Sequence, residues 1–104
     1  GDNATAMGTQ TKALGNASIA MGHLSIARGL HAIAMGDSTV ADNDDATSMG
    51  YHTLASGQFS TAMGHLTIAG GTSSFAMGES TEATGYGAIA MGSFTKAMGD
   101  ASMA

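Results

Sequence analysis

The chain has no cysteine, no proline and no tryptophan, and only three of its 104 residues are Lys or Arg. Without cysteine there are no disulfides, no thiolate metal sites and no thiol nucleophile. Without proline, the punctuation of the chain falls to its 16 glycines. Charged residues make up 11% and the formal net charge is −5, which argues against nucleic acid, heparin-like polyanions and anionic membrane surfaces as partners. No run is long and apolar enough to cross a membrane, and no signal peptide or lipidation motif is present. Low charge combined with 43% hydrophobic residues also argues against an unfolded chain.

What is present is repetition. In lines of fourteen the chain superimposes on itself without insertion or deletion, as seven complete lines over residues 1–98 and a partial eighth over 99–104. The seventh column is Met in each complete line (Met7, Met21, Met35, Met49, Met63, Met77, Met91), the eighth is always Gly and the thirteenth always Ala. An enzyme needs different residues in different places, whereas a stack of equivalent coils requires the same ones. The array begins and ends mid-pattern without a polar capping repeat, so a fragment of a longer protein is expected.

Each line divides into two sevens of the form Gly-x-x-small-x-Ala-x. Gly fills every seven-spaced position except Asn43, the residue type next most tolerant of left-handed backbone. A coiled coil is excluded, because interior Gly costs about 1 kcal/mol relative to Ala and the small residues lie two apart. A two-residue period marks strands and the recurring Gly marks turns. Columns four, six, eleven and thirteen hold only Ala, Ser and Thr, and alternation puts them on one side of their strands as a thin interior. Parallel strands at about 4.8 Å spacing then give a rod roughly 35 Å long.

The outward columns differ between the two halves. Columns five and seven set Ile19, Ile33, Phe75 and Ile89 beside the Met column, while columns twelve and fourteen mix Lys12, Arg28, Asp42, Glu82 and Lys96 with Ile26, Leu54 and Ile68. A greasy stripe of that length marks an interface. At about 1.5–3 kcal/mol per buried Met, seven supply roughly 10–20 kcal/mol gross per chain. Self-association through Met7, Ile19, Met21, Ile33, Met35, Met49, Met63, Phe75, Met77, Ile89 and Met91 is the expectation.

Segments such as Ala17-Ser18-Ile19-Ala20-Met21-Gly22 and Phe59-Ser60-Thr61-Ala62-Met63-Gly64, each followed by a half-turn of the Leu24-Ser25-Ile26-Ala27 kind, are similar to the YadA-like head repeats of trimeric autotransporter adhesins. The resemblance covers the whole chain. It implies an all-β, left-handed parallel β-roll, three chains side by side, and a head held away from the bacterial surface by outer-membrane-anchored regions elsewhere. Met in column seven departs from the Ile or Val of the best-known heads. The Asn-Ser-Val-Ala-Ile-Gly form is absent, so the collagen binding of some relatives does not carry over.

Other motifs have simpler explanations. Gly85-Tyr86-Gly87-Ala88-Ile89-Ala90 spells a dinucleotide-type pattern, but Gly85 already belongs to the ladder. The four His lie in different columns or, for His23 and His65, three coils apart, too far to share a metal. Asp42-Asn43-Asp44-Asp45 lacks both the EF-hand pattern and the coil-by-coil Asp of calcium-binding rolls, and reads as a solvated turn. No cofactor, metal site or catalytic group is expected, and no direct membrane contact. Columns two, three, nine and ten vary and fall at the turns, where His31, Tyr51, His52, Phe59, Tyr86 and Phe94 are candidate partner contacts. The functional expectation is adhesion to host matrix or cell-surface molecules by a homotrimeric rod. The alternative is a non-binding spacer, as in a phage tail fibre.

Overall fold

The computed structural model describes all 104 residues. Seven five-residue strands form one parallel sheet: β1 (Thr5–Thr9), β3 (Ile19–His23), β5 (Ile33–Asp37), β7 (Thr47–Tyr51), β9 (Thr61–His65), β11 (Phe75–Glu79) and β13 (Ile89–Ser93). Seven two-residue strands form the other: β2 (Lys12–Ala13), β4 (Ile26–Ala27), β6 (Val40–Ala41), β8 (Leu54–Ala55), β10 (Ile68–Ala69), β12 (Glu82–Ala83) and β14 (Lys96–Ala97). Each strand pairs with its equivalent fourteen residues on, so every column becomes a ladder: Met49 lies between Met35 and Met63, and Ala62 between Ser48 and Ala76. The chain is a parallel β-solenoid measuring 35 × 20 × 10 Å.

The short dimension follows from the interior. The fully buried positions hold only Ala, Ser, Thr and glycine backbone, and the largest buried side chains are Thr39, Thr53, Thr67 and Thr81. Two sheets can close on such small groups but on nothing bulkier. Some hydroxyls there bond to backbone or to one another: Ser18 Oγ donates to Gly15 O (2.7 Å), Ser25 Oγ to Gly36 O (2.9 Å), and Thr39 Oγ1 to Ser25 Oγ (3.0 Å), whereas those of Thr67, Ser74 and Thr81 have no partner. With so little apolar volume inside, the 76 backbone–backbone hydrogen bonds carry much of the cohesion.

The strands do not cover columns four to seven and eleven to fourteen as periodicity suggests; they run from five to nine and from twelve to thirteen. Hydrogen bonding explains both shifts. The column-four N–H closes a turn on the column-one carbonyl, as in Ser60 N to Gly57 O (3.2 Å). At the other end Ser56 N and Gly57 N share the Ala69 carbonyl, so the short ladder ends there.

Glycine serves two separate purposes. Column eight has the left-handed backbone expected of it: Gly64 has φ of +114°, and a Cβ there would lie 2.2 Å from the carbonyl oxygen of Gly78. Column one does not have positive φ. A Cβ on Gly71 would lie 2.0 Å from the Gly85 carbonyl oxygen, so close approach of stacked backbones selects glycine. Asn43 therefore does not stand in as a left-handed residue. Its Nδ2 donates to Ser56 O (3.3 Å) and its Oδ1 accepts from Asp44 N (2.8 Å). The left-handed corners are columns three and ten, where 14 non-glycine residues have φ between +52° and +60°. Phe59, Phe94, Leu24 and Leu66 are among them.

Candidate functional site

No pocket opens in the surface, and no group of three or more His, Cys, Asp or Glu converges. The surfaces available for function are therefore two faces and two edges.

The outer face of the long-stranded sheet carries the Met ladder and, beside it, Ile19, Ile33, Phe75 and Ile89. All eleven residues of the expected interface are brought onto this one face, opposite the Ala-rich interior. The five inner Met are half-buried because each is covered by the one above and below, whereas Met7 and Met91 in the outermost complete coils are 55% and 53% exposed. This stacking lowers the energy still available to association. Of the 1.5–3 kcal/mol for complete burial of a Met, about 1 kcal/mol or less remains per residue, or about 5–10 kcal/mol per chain over the whole face.

The opposite face is less mixed than its composition suggests. Ile26, Val40, Leu54 and Ile68 lie in one continuous register, half-buried by mutual stacking. Lys12 lies below them, and above them Lys96 Nζ is 3.3 Å from Glu82 Oε2. Arg28 Nη1 is 2.7 Å from Asp42 Oδ1 at the rim.

The edges are formed by turns. One, built from columns nine and ten, carries His23, Asp37, Tyr51, His65 and Glu79 in successive coils, with Leu24, His52, Leu66 and Phe94 at the left-handed corners. His23 Nδ1 is 3.3 Å from Asp37 Oδ1, and His65 Nδ1 is 3.6 Å from Glu79 Oε2. Tyr51 stacks on His65 with ring centroids 5.3 Å apart and meets His52 edge-on at 4.2 Å. Hydrogen bonds from Ser38 and His23 hold the Asp37 carboxyl below its usual range.

The second edge, columns fourteen through three, is the acidic one. Asp42, Asp44 and Asp45 are not a free cluster but reach back one coil: Asp42 to Arg28, Asp44 Oδ1 to Leu30 N (3.0 Å), and Asp45 Oδ1 to His31 Nδ1 (3.2 Å). Asn16 and Asp100 repeat the Asp44 contact, accepting from Asp2 N and Tyr86 N. The candidate contacts thus divide between edges: Tyr51, His52 and Phe94 on one; His31, Phe59 and Tyr86 on the other. All six are exposed.

Pairing between coils escaped sequence reading although its signal was available. All five ion or His–carboxylate pairs join residues fourteen apart. Gly87 sits at a left-handed corner with φ of +64°, and a strand follows it, so the dinucleotide-type pattern has no helix to open.

Comparison with curated proteins gave no match. The family model described as the YadA head domain repeat matches residues 1–25, 27–53, 55–78, 69–95 and 83–104. A parallel solenoid of fourteen-residue coils and a family match along nearly its whole length agree, and the chain belongs to the YadA head domain repeat family.

Proposed function

We propose that this chain is a head segment of a trimeric autotransporter adhesin, in which three copies pack side by side through the Met face. The single observation that carries this reading is the unbroken apolar ladder on the long-stranded sheet, outside a core that holds nothing larger than Thr. A chain with so thin a core has most to gain from burying its outer stripe against copies of itself. Met suits the shared centre, since its flexible thioether fills irregular space. The head then sits at the cell surface, held at the outer membrane by regions outside this segment, and attaches the bacterium to host cells or extracellular matrix. Weak contacts repeated along the rod and around three chains add by multivalency. The reading assigns no catalysis, cofactor or metal.

Retention of the native assembly on immobilised matrix proteins and on cultured host cells tests the adhesive role. Saturable binding, reduced when the exposed edge residues are replaced by Ser, supports it. Absence of retention on every surface, with the trimer intact, favours the spacer alternative.

A further inference from the structure

Column seven is Met in all seven complete coils, while its neighbour, column five, changes among Thr, Ile and Phe. Apolarity alone does not require such uniformity. The aliphatic ladder on the opposite face varies among Ile, Val and Leu over Ile26, Val40, Leu54 and Ile68. Strands favour Val and Ile, so strand formation does not select Met either. In a chain without cysteine, what Met adds is sulfur, a soft and polarisable thioether donor.

Those sulfurs form a row. Register pairs Met7 with Met21, Met21 with Met35, and so on to Met77 with Met91, all on one face. Side chains in a shared rotamer set successive sulfurs one strand spacing apart, about 4.8 Å. An ion midway between two of them lies about 2.4 Å from each, close to the roughly 2.3 Å of metal–sulfur bonds.

The surroundings select the kind of ion. Columns five and seven hold no carboxylate, imidazole or ammonium group. Calcium and magnesium therefore find no anionic oxygen on this stripe, whereas neutral thioethers select copper(I) and ions like it. His, Asp and Glu converge nowhere on the molecule, but they are not the donors needed here. We infer that the Met ladder binds soft monovalent cations of the copper(I) class, each held between the thioethers of adjacent coils. Ions so placed tie one coil to the next, outside an interior that holds nothing larger than Thr. The site goes beyond the adhesive reading and does not depend on assembly, because both donors of a pair belong to one chain.

Silver(I) is the probe, since it shares the softness of copper(I) and does not change oxidation state in air. The native chain, with its methionine methyl groups labelled with carbon-13, is titrated with silver nitrate in chloride-free buffer and followed by NMR. The titration is repeated with silver present during refolding from urea, so that a closed centre does not block entry. Met98, 69% exposed just after β14 and outside the ladder, is the internal control for a lone thioether. The ladder methyls should shift at a silver concentration at least about tenfold below that needed for Met98, because the second sulfur of a pair binds intramolecularly. Met21→Leu, Met49→Leu and Met77→Leu combined leave four ladder sulfurs, each about 9.6 Å from the next, too far to share an ion. Met-to-Leu exchange conserves volume, so the fold should hold, and the tenfold preference over Met98 should disappear. Ladder methyls that shift no earlier than Met98 in the parent chain overturn the site, and that comparison needs no variant. A folded triple variant that keeps the parent's silver affinity overturns the pairing between coils. Native mass, measured on the same samples, reads the assembly separately: a trimer without early shifts overturns the metal site alone, and a monomer with them leaves it standing.

Discussion

Replacement of Met63 by Glu places a charge in the middle of the apolar face. Met63 stacks between Met49 and Met77, with its side chain on the opposite side of the sheet from the buried Ala62. In the single chain the new carboxylate reaches water, so the solenoid survives with a loss of about 1 kcal/mol or less. In the proposed trimer three carboxylates would converge on a dry centre. Each costs several kcal/mol of desolvation, for a total on the order of 10 kcal/mol per trimer. Against about 15–30 kcal/mol gross for the three faces, that shift raises the concentration needed for assembly by several powers of ten, at tenfold per 1.4 kcal/mol. Sedimentation equilibrium on Met63→Glu, with Met63→Leu as the apolar control, should find dissociation or aggregation of the first and an intact trimer for the second. Circular dichroism should find β structure in both. A Met63→Glu trimer as stable as the parent would refute the assignment of this face.

Other substitutions test the interior, the turns and the polar edge. Ala62→Leu forces a bulky group between sheets that admit nothing larger than Thr, and should unfold the chain or cost about 3 kcal/mol or more in thermal melts. Thr81→Ala removes a buried hydroxyl that has no hydrogen-bond partner, so it should change stability by under about 1 kcal/mol. Gly64→Ala should be far worse than Gly87→Ala, because a Cβ at Gly64 meets the Gly78 carbonyl oxygen at 2.2 Å while one at Gly87 meets nothing within 4 Å. Equal urea midpoints for those two variants would count against the stacking geometry. Asp37 should titrate below an ordinary carboxyl near pH 3.9, and Ser38→Ala should raise its value in an NMR titration, since the Ser38 hydrogen bond is the largest cause of the depression. Because the folded value is the lower one, the stability it confers is present above the unfolded value and lost as the pH falls through the folded one.

The fourteen-residue period carried the architecture because side chains inside a solenoid coil are constrained one column at a time. Ala20, Ala34 and Ala62 occupy equivalent sites and meet equivalent walls, so a column of small residues identifies the interior without reference to anything distant. The left-handed corners were less legible, since columns three and ten hold Ala, His, Asp, Phe, Leu and Ser as freely as Asn or Gln. There the conformation is imposed by the ladder: Phe59 N donates to Asp44 O and Leu66 N to Tyr51 O, and those bonds hold whichever side chain is attached. Column-one glycine was attributed to left-handed backbone, although the reason is the approach of the next coil, which no single line of sequence records. Val40 completes an aliphatic ladder with Ile26, Leu54 and Ile68 that its column's charged ends conceal. Partner-contact residues are legible only as exposed variable positions at the turns, because nothing in a repeat encodes the shape of a receptor.

Native mass by sedimentation equilibrium, over a wide range of concentration, tests the central claim most directly. Three chains of 10.2 kDa in a species that does not change with concentration are the predicted result. A soluble monomer throughout would mean that the Met face needs no partner, and would contradict the assembly on which the adhesive rod depends.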